Sequence, residues 1–142
     1  MQIELLLILQ VIFAHWLSDF VLQSHWMATN KSKNWLALGS HVVVYTTSLY
    51  FTMMITGALL VPVVYEDTPN AVIYAMTPFA FFLWVVINGA LHFVTDAVTS
   101  RITYKLWGRS KMHEFFVVVG FDQLIHYTCL FTTLTALWTY TT

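Results

Sequence analysis

The chain has 142 residues, of which 58% are hydrophobic and only 9% are charged. Soluble domains carry about 25% charged residues, so the composition excludes an ordinary soluble domain and points to one integral membrane domain over residues 1–142. A formal net charge of −1 suggests no nucleic-acid partner, and the single Cys129 excludes an internal disulfide.

A spanning helix needs about 20 mostly apolar residues. The first apolar run predicts a helix over 3–25. Met1-Gln2-Ile3-Glu4 places no basic region before it, so it is expected to stay as a helix rather than be cleaved. The polar stretch Ala28-Thr29-Asn30-Lys31-Ser32-Lys33-Asn34 follows. The second helix is expected over 35–64, longer than one span needs, which predicts tilt or an end projecting toward Pro62. Tyr65-Glu66-Asp67-Thr68-Pro69-Asn70 reads as an acidic, turn-rich loop, and Ala71 to Met76 as an ambiguous stretch before Pro78. The third helix is expected over 79–100. A basic loop, Arg101 to Lys111, then leads to a fourth over 113–138 and a Thr-rich tail. The expected fold is an all-α, four-helix transmembrane bundle.

Orientation follows from charge. The six basic residues are Lys31, Lys33, Arg101, Lys105, Arg109 and Lys111. All fall in the first and third loops, which lie on one side of a four-helix chain. The positive-inside rule puts that side in the cytoplasm, with both termini outside. Trp16, Trp26, Trp35, Trp107 and Trp138 include candidate interface anchors. The expected setting is a bacterial inner membrane crossed several times, with the lipid bilayer as partner and a homodimer as a possible assembly.

Within the apolar runs, ionisable residues recur at helical spacing. Asn88, His92 and Asp96 stand four apart, which puts them on one helix face. His15, Asp19 and Gln23 repeat the spacing in the first run. His41 lies in the second, and Asp122, Gln123 and His126 lie in the fourth. Counted inward at about 1.5 Å per residue, the His and Asp residues fall in one slab about 6 to 20 Å below the cytoplasmic surface. The outer half holds no comparable ionisable set.

An Asp at mid-helix costs about 2.5 to 3.5 kcal/mol to insert. Three unpaired carboxylates would together cost on the order of the whole stability of a small protein. They must be protonated, paired or bound to a cation. His15, Asp19, His41, His92, Asp96, Asp122 and His126 are therefore candidate ligands of a divalent metal. Zn suits this donor set best, with Mn or Fe as alternatives. The number of donors leaves one or two ions open. Asp122 is the candidate general base. Gln23, Asn88 and Gln123 are candidates to orient ligands or hold substrate. Lys31 and Arg101 are expected to serve topology and anionic headgroups. Gly39-Ser40 and Gly89-Ala90 are expected to allow close helix approach.

At His15-xxx-Asp19-Phe20-xx-Gln23, with Trp26-Met27 and Lys31 after it, the chain resembles a known family along nearly its whole length. His41, His92-xxx-Asp96 and Phe121-Asp122-Gln123-xx-His126 carry the rest of the likeness. The family is that of bacterial and phage membrane proteins catalogued as domain of unknown function 3307. The resemblance supports the site and names no activity. A looser likeness, in His and Asp borne on membrane helices, is to membrane-bound metal-dependent hydrolases.

The reading that follows is a metal-dependent hydrolase working near the cytoplasmic leaflet on a lipid, ester or phosphoester. Two alternatives stay open. One is transport of a divalent cation or protons through the same cluster. The other is a non-enzymatic membrane interaction protein whose His–Asp hydrogen bonds pin the bundle together.

Overall fold

The computed structural model describes residues 2–64 and 77–139. Among them every regular element is helical. In chain order these are α1 (Gln2–Trp16), a π-helical turn (Leu17–Val21), α2 (His25–Asn30), α3 (Trp35–Val64), α4 (Pro78–Gly108) and α5 (Met112–Thr139). The acidic loop Tyr65 to Asn70, the stretch Ala71 to Met76 and the end of the Thr-rich tail lie outside the described residues.

The helix ends have chemical causes. Ser24 starts α2, its Oγ accepting from Met27 N at 3.3 Å. Asn34 Oδ1 accepts from Leu36 N at 2.8 Å at the start of α3. Thr77 starts α4, its Oγ1 accepting from Ala80 N at 3.2 Å, with Pro78 in the first turn. After α4, Ser110 takes the left-handed conformation at φ 55°. Ser110 N and Lys111 N fold back onto Trp107 O and Leu106 O at 3.0 Å each, satisfying carbonyls that the helix leaves open.

Two boundaries differ from the hydropathy reading. The first helix, expected to reach His25, leaves α geometry after Trp16. Leu22 N donates to Leu17 O at 3.0 Å, a bond five residues back, and the chain breaks before the separate α2. Among the described residues, five α-helices thus replace the expected four. The third helix, expected to stop at Ser100, runs on to Gly108. Charge returns at Arg101, but nothing there breaks a helix. The guanidinium of Arg101 lies over the Trp35 ring at 4.1 Å, and Lys33 lies over Tyr104 at 4.4 Å.

The apolar core joins Val11 and Ala14 of α1, Tyr45, Leu49 and Met53 of α3, Phe81, Trp84 and Val85 of α4, and Leu130 of α5. Trp84 Nε1 donates to Leu130 O at 3.1 Å, so the indole is buried without an orphaned donor. A Cβ on Gly89 would collide with the Thr46 side chain, which places the α3–α4 close approach there. A Cβ on Gly39 would meet nothing within 4 Å, so the approach expected at Gly39 is not made. The segments Pro78–Gly108 and Met112–Leu137 are long and apolar enough to cross a membrane, and Leu5–Val21 is a shorter apolar helix.

Candidate metal centre

Next to the apolar core lies a polar layer. It is built where α1 ends, α3 begins, α4 is near its middle and α5 is in its first half. The π-turn supplies Asp19, α3 supplies His41, α4 supplies His92 and Asp96, and α5 supplies Asp122 and His126. His15, Asp19, His41, His92, Asp96 and His126 are all at most 3% exposed. Burial of this depth requires partners for every lone pair and proton.

Four ligand atoms converge. His41 Nε2 lies 3.0 Å from His92 Nε2, 3.1 Å from Asp19 Oδ1 and 3.3 Å from Asp96 Oδ2. His92 Nε2 lies 3.5 Å from Asp19 Oδ1 and 3.7 Å from Asp96 Oδ2. One N–H per imidazole edge cannot serve so many neighbours at once. Asp19 Oδ1 in fact has no aligned hydrogen-bond partner. A tetrahedron of N and O ligands at 2.0–2.2 Å from zinc has edges of about 3.3 to 3.6 Å. The five distances straddle that range. The chemistry and spacing of Asp19, His41, His92 and Asp96 therefore fit a divalent cation at their centre.

A second, more open group adjoins the first. Asp19, Asp122 and His126 also bring ligand atoms within 4.8 Å of one another. His126 Nε2 lies 3.3 Å from Asp96 Oδ1 and 3.5 Å from Asp122 Oδ1. Its Nδ1 lies 3.2 Å from His92 Nδ1. Asp122 is oriented by Thr99 Oγ1, which donates to its Oδ1 at 2.6 Å, and by Gln123 Nε2, which donates to its Oδ2 at 3.0 Å. A carboxylate fixed at both oxygens is suited to receive a proton at a set place.

The remaining candidates surround these groups. His15 sits just outside both, with Nδ1 at 3.2 Å from Tyr45 Oη and Nε2 at 3.1 Å from Gln123 Oε1. Both its nitrogens are engaged by neutral groups, and Asp19 is 3.8 Å away. Gln123 links His15 to Asp122 and, at 3.3 Å, to Asp19. Gln23 lines an adjoining cavity, and its buried Oε1 has no partner. Asn88, one turn before His92 on the buried face of α4, ties α4 to α5, its Nδ2 donating to Trp84 O and Thr133 Oγ1 at 2.8 Å each and its buried Oδ1 without a partner.

Three further residues border the site, of which sequence reading passed over Tyr45 alone. Tyr45 stacks on His92 with ring centroids 3.8 Å apart and planes 7° apart. It stands four residues after His41, so the same spacing signal would have found it. Thr99 stands seven after His92 and holds Asp122 as described. Lys31 carries no such signal. Expected at the membrane interface, it instead turns inward, with Nζ 2.7 Å from Asp96 Oδ2 and 3.3 Å from His41 Nε2. Burial opposes the Lys31 charge, but Asp96 and Asp19 outweigh burial and hold its pKa above the ordinary lysine value.

The cavity beside the cluster encloses about 520 Å³. Its lining includes the carboxylates Asp19, Asp96 and Asp122 and the aromatic rings of Phe20, Trp107 and Phe115.

The chain belongs to the DUF3307 family, described as proteins of unknown function. The family model matches residues 6–142 and so covers every residue of the polar layer. Neither a curated protein nor a solved structure matches the chain.

Proposed function

We propose that this family member is a multi-pass membrane protein that binds a divalent metal, zinc by preference, and hydrolyses an ester or phosphoester near the cytoplasmic leaflet. The membrane part rests on an inverted pattern. Large apolar side chains such as Leu36, Val43, Phe79, Phe116 and Leu124 face outward, while His, Asp and Asn are buried. Orientation rests on charge. The basic ends of the helices belong in the cytoplasm, which puts both termini outside.

The observation that supports the metal reading is the convergence of four buried ligand atoms, five of whose separations run from 3.0 to 3.7 Å. Asp19, His41, His92 and Asp96 would hold the ion, and Asp122 and His126 would extend the site toward a second. A divalent ion there supplies Lewis acidity and lowers the pKa of a bound water. Asp122, fixed by Thr99 and Gln123 at the cavity wall, is placed to take a proton from the attacking water. His15 acts through Gln123, which it keeps aimed at Asp19 and Asp122. The cavity is where a substrate group would lie.

One observation favours a second reading, a structural polar core. Lys31 already offers Asp96 a counter-charge without any metal. The test separates the two. Metal-loaded protein in bilayers is assayed against lipid esters and phosphoesters beside Asp122→Asn. The hydrolase reading expects turnover by wild type and a loss of at least about 100-fold in a variant that keeps its metal. No turnover by metal-loaded wild type, or full turnover by Asp122→Asn, contradicts it.

A further inference from the structure

The hydrolase reading leaves Lys31 unused. Its ammonium touches Asp96 Oδ2 and His41 Nε2, two of the four atoms that would hold the ion. His41 Nε2 has a single lone pair, which an ammonium and a divalent ion cannot both use, and the two cations would repel across Asp96 Oδ2. One must leave when the other arrives.

Lys31 is built to leave. It caps α2, a six-residue helix with no buried residue that rests on α3, and its flexible four-carbon stem can swing without moving that helix. Its side chain also lines the cavity, so a short swing would take the ammonium from Asp96 into that space. The charges set the order of events. Three carboxylates line the cavity, and among the lining residues only Lys31 opposes them, so an anion is repelled. A divalent ion compensates two of those charges and frees Lys31 to meet the anion. Gln23 Oε1, buried and unpartnered on the cavity wall, is an acceptor waiting for a donor such as a substrate hydroxyl. Phe20, Trp107 and Phe115 give the cavity an apolar portion that fits the start of a lipid chain.

We propose that Lys31 is a tethered cation that stands in for the divalent ion and, once displaced by it, anchors the phosphate of a substrate in the cavity. This rests on the metal reading above and adds the substrate class, a phosphate-bearing molecule, and an order, metal first. Lys31 is a positioning residue for the site and a binding residue for the anion.

The first measurement is zinc affinity by ion-buffered titration of wild type, Lys31→Met and Lys31→Arg in mild detergent. Removing the tethered cation is expected to tighten zinc binding at least about tenfold, or about 1.4 kcal/mol. Lys31→Arg keeps a cation, guards against a folding defect, and is expected to bind no tighter than wild type. Equal or weaker zinc binding by a folded Lys31→Met overturns the displacement. The second measurement adds inorganic phosphate in detergent, or phosphatidic acid in phosphatidylcholine nanodiscs, to zinc-loaded protein. Wild type is expected to bind one of these at least about tenfold more tightly than Lys31→Met. Binding of phosphatidic acid alone assigns the anion to a lipid, and binding of inorganic phosphate alone assigns it to a soluble molecule. Binding of neither, or equal binding by Lys31→Met, overturns the anchoring role. Failure of every variant to take up zinc would instead sink the metal reading, and this inference with it.

Discussion

The two halves of the bundle solve the same packing problem in opposite ways. Around Trp84 the helices meet through apolar side chains, and the buried polar groups nearby are neutral. Gln10 Nε2 donates to Met53 O at 3.0 Å and to Thr56 Oγ1 at 2.6 Å, and Asn88 bonds Trp84 O and Thr133. Around His92 the helices meet through charge. Three aspartates, four histidines and Lys31 lie in mutual reach, and Asp19 Oδ1 among them has no aligned partner. Neutral polar groups can hold helices together at small cost, about 0.6 kcal/mol gained per contact. A layer built only to hold helices therefore has no need of so many charges. Both layers leave buried oxygens without partners, Gln10 Oε1 and Asn88 Oδ1 in one and Asp19 Oδ1 in the other, so what sets them apart is charge, whose burial cost a bound cation would recover.

That contrast can be broken by mutation. The largest effects are expected from one deletion in each half. Trp84→Ala should cost about 3 to 5 kcal/mol in detergent unfolding through the cavity it leaves, with zinc affinity unchanged. Asp96→Ala should cost about 1 to 3 kcal/mol, because buried His41 and His126 lose a partner and the Lys31 ammonium loses its nearest counter-charge. It should also abolish zinc binding, and adding Lys31→Met should recover part of the stability. If Trp84→Ala also abolished zinc binding in a folded protein, the two layers would not be independent.

A pair of glycines sharpens the comparison at smaller scale. Gly89→Ala should lose about 1 to 3 kcal/mol through collision with Thr46, and Thr46→Ala should relieve it. Gly39→Ala meets nothing and should gain about 0.5 to 1 kcal/mol by restricting the unfolded chain. Thermal unfolding of the two variants side by side reads the sign directly. Tyr45→Phe is mild as well. It removes the hydroxyl partner of His15 Nδ1 and keeps the ring on His92, so a loss of about 1 kcal/mol with zinc retained is expected. Loss of zinc in this variant would mean that His15 is more than a support.

Much of the polar layer was legible because helices are periodic. His15 with Asp19, His92 with Asp96, and Asp122 with His126 each stand four apart, and counting from the charged ends put them at one depth with His41. The structure brings Asp19, His41, His92 and Asp96 into one group and Asp122 and His126 into the next. What sequence did not reveal has equally physical reasons. A π-turn adds one residue to a turn and leaves no mark on composition, so Leu17–Val21 read as ordinary helix. Hydropathy marks where charge reappears rather than where the backbone turns, so α4 seemed to end at Ser100 when the break is at Gly108. Asn88 shares the buried face of α4 with His92 and Asp96, as its spacing implied, and on that face its Nδ2 binds Thr133. Lys31 sits in a polar stretch where its flexible stem permits several directions. Only the packed neighbours, Asp96 and His41, select the inward one.

The central claim is that the converging His and Asp atoms exist to hold a cation. Metal content by mass spectrometry, on wild type and His92→Ala purified in mild detergent, tests it most directly. The account predicts about one or two ions per chain in wild type and a loss of metal in a variant that stays folded. Wild type without metal above background, even after reloading with zinc, would contradict it.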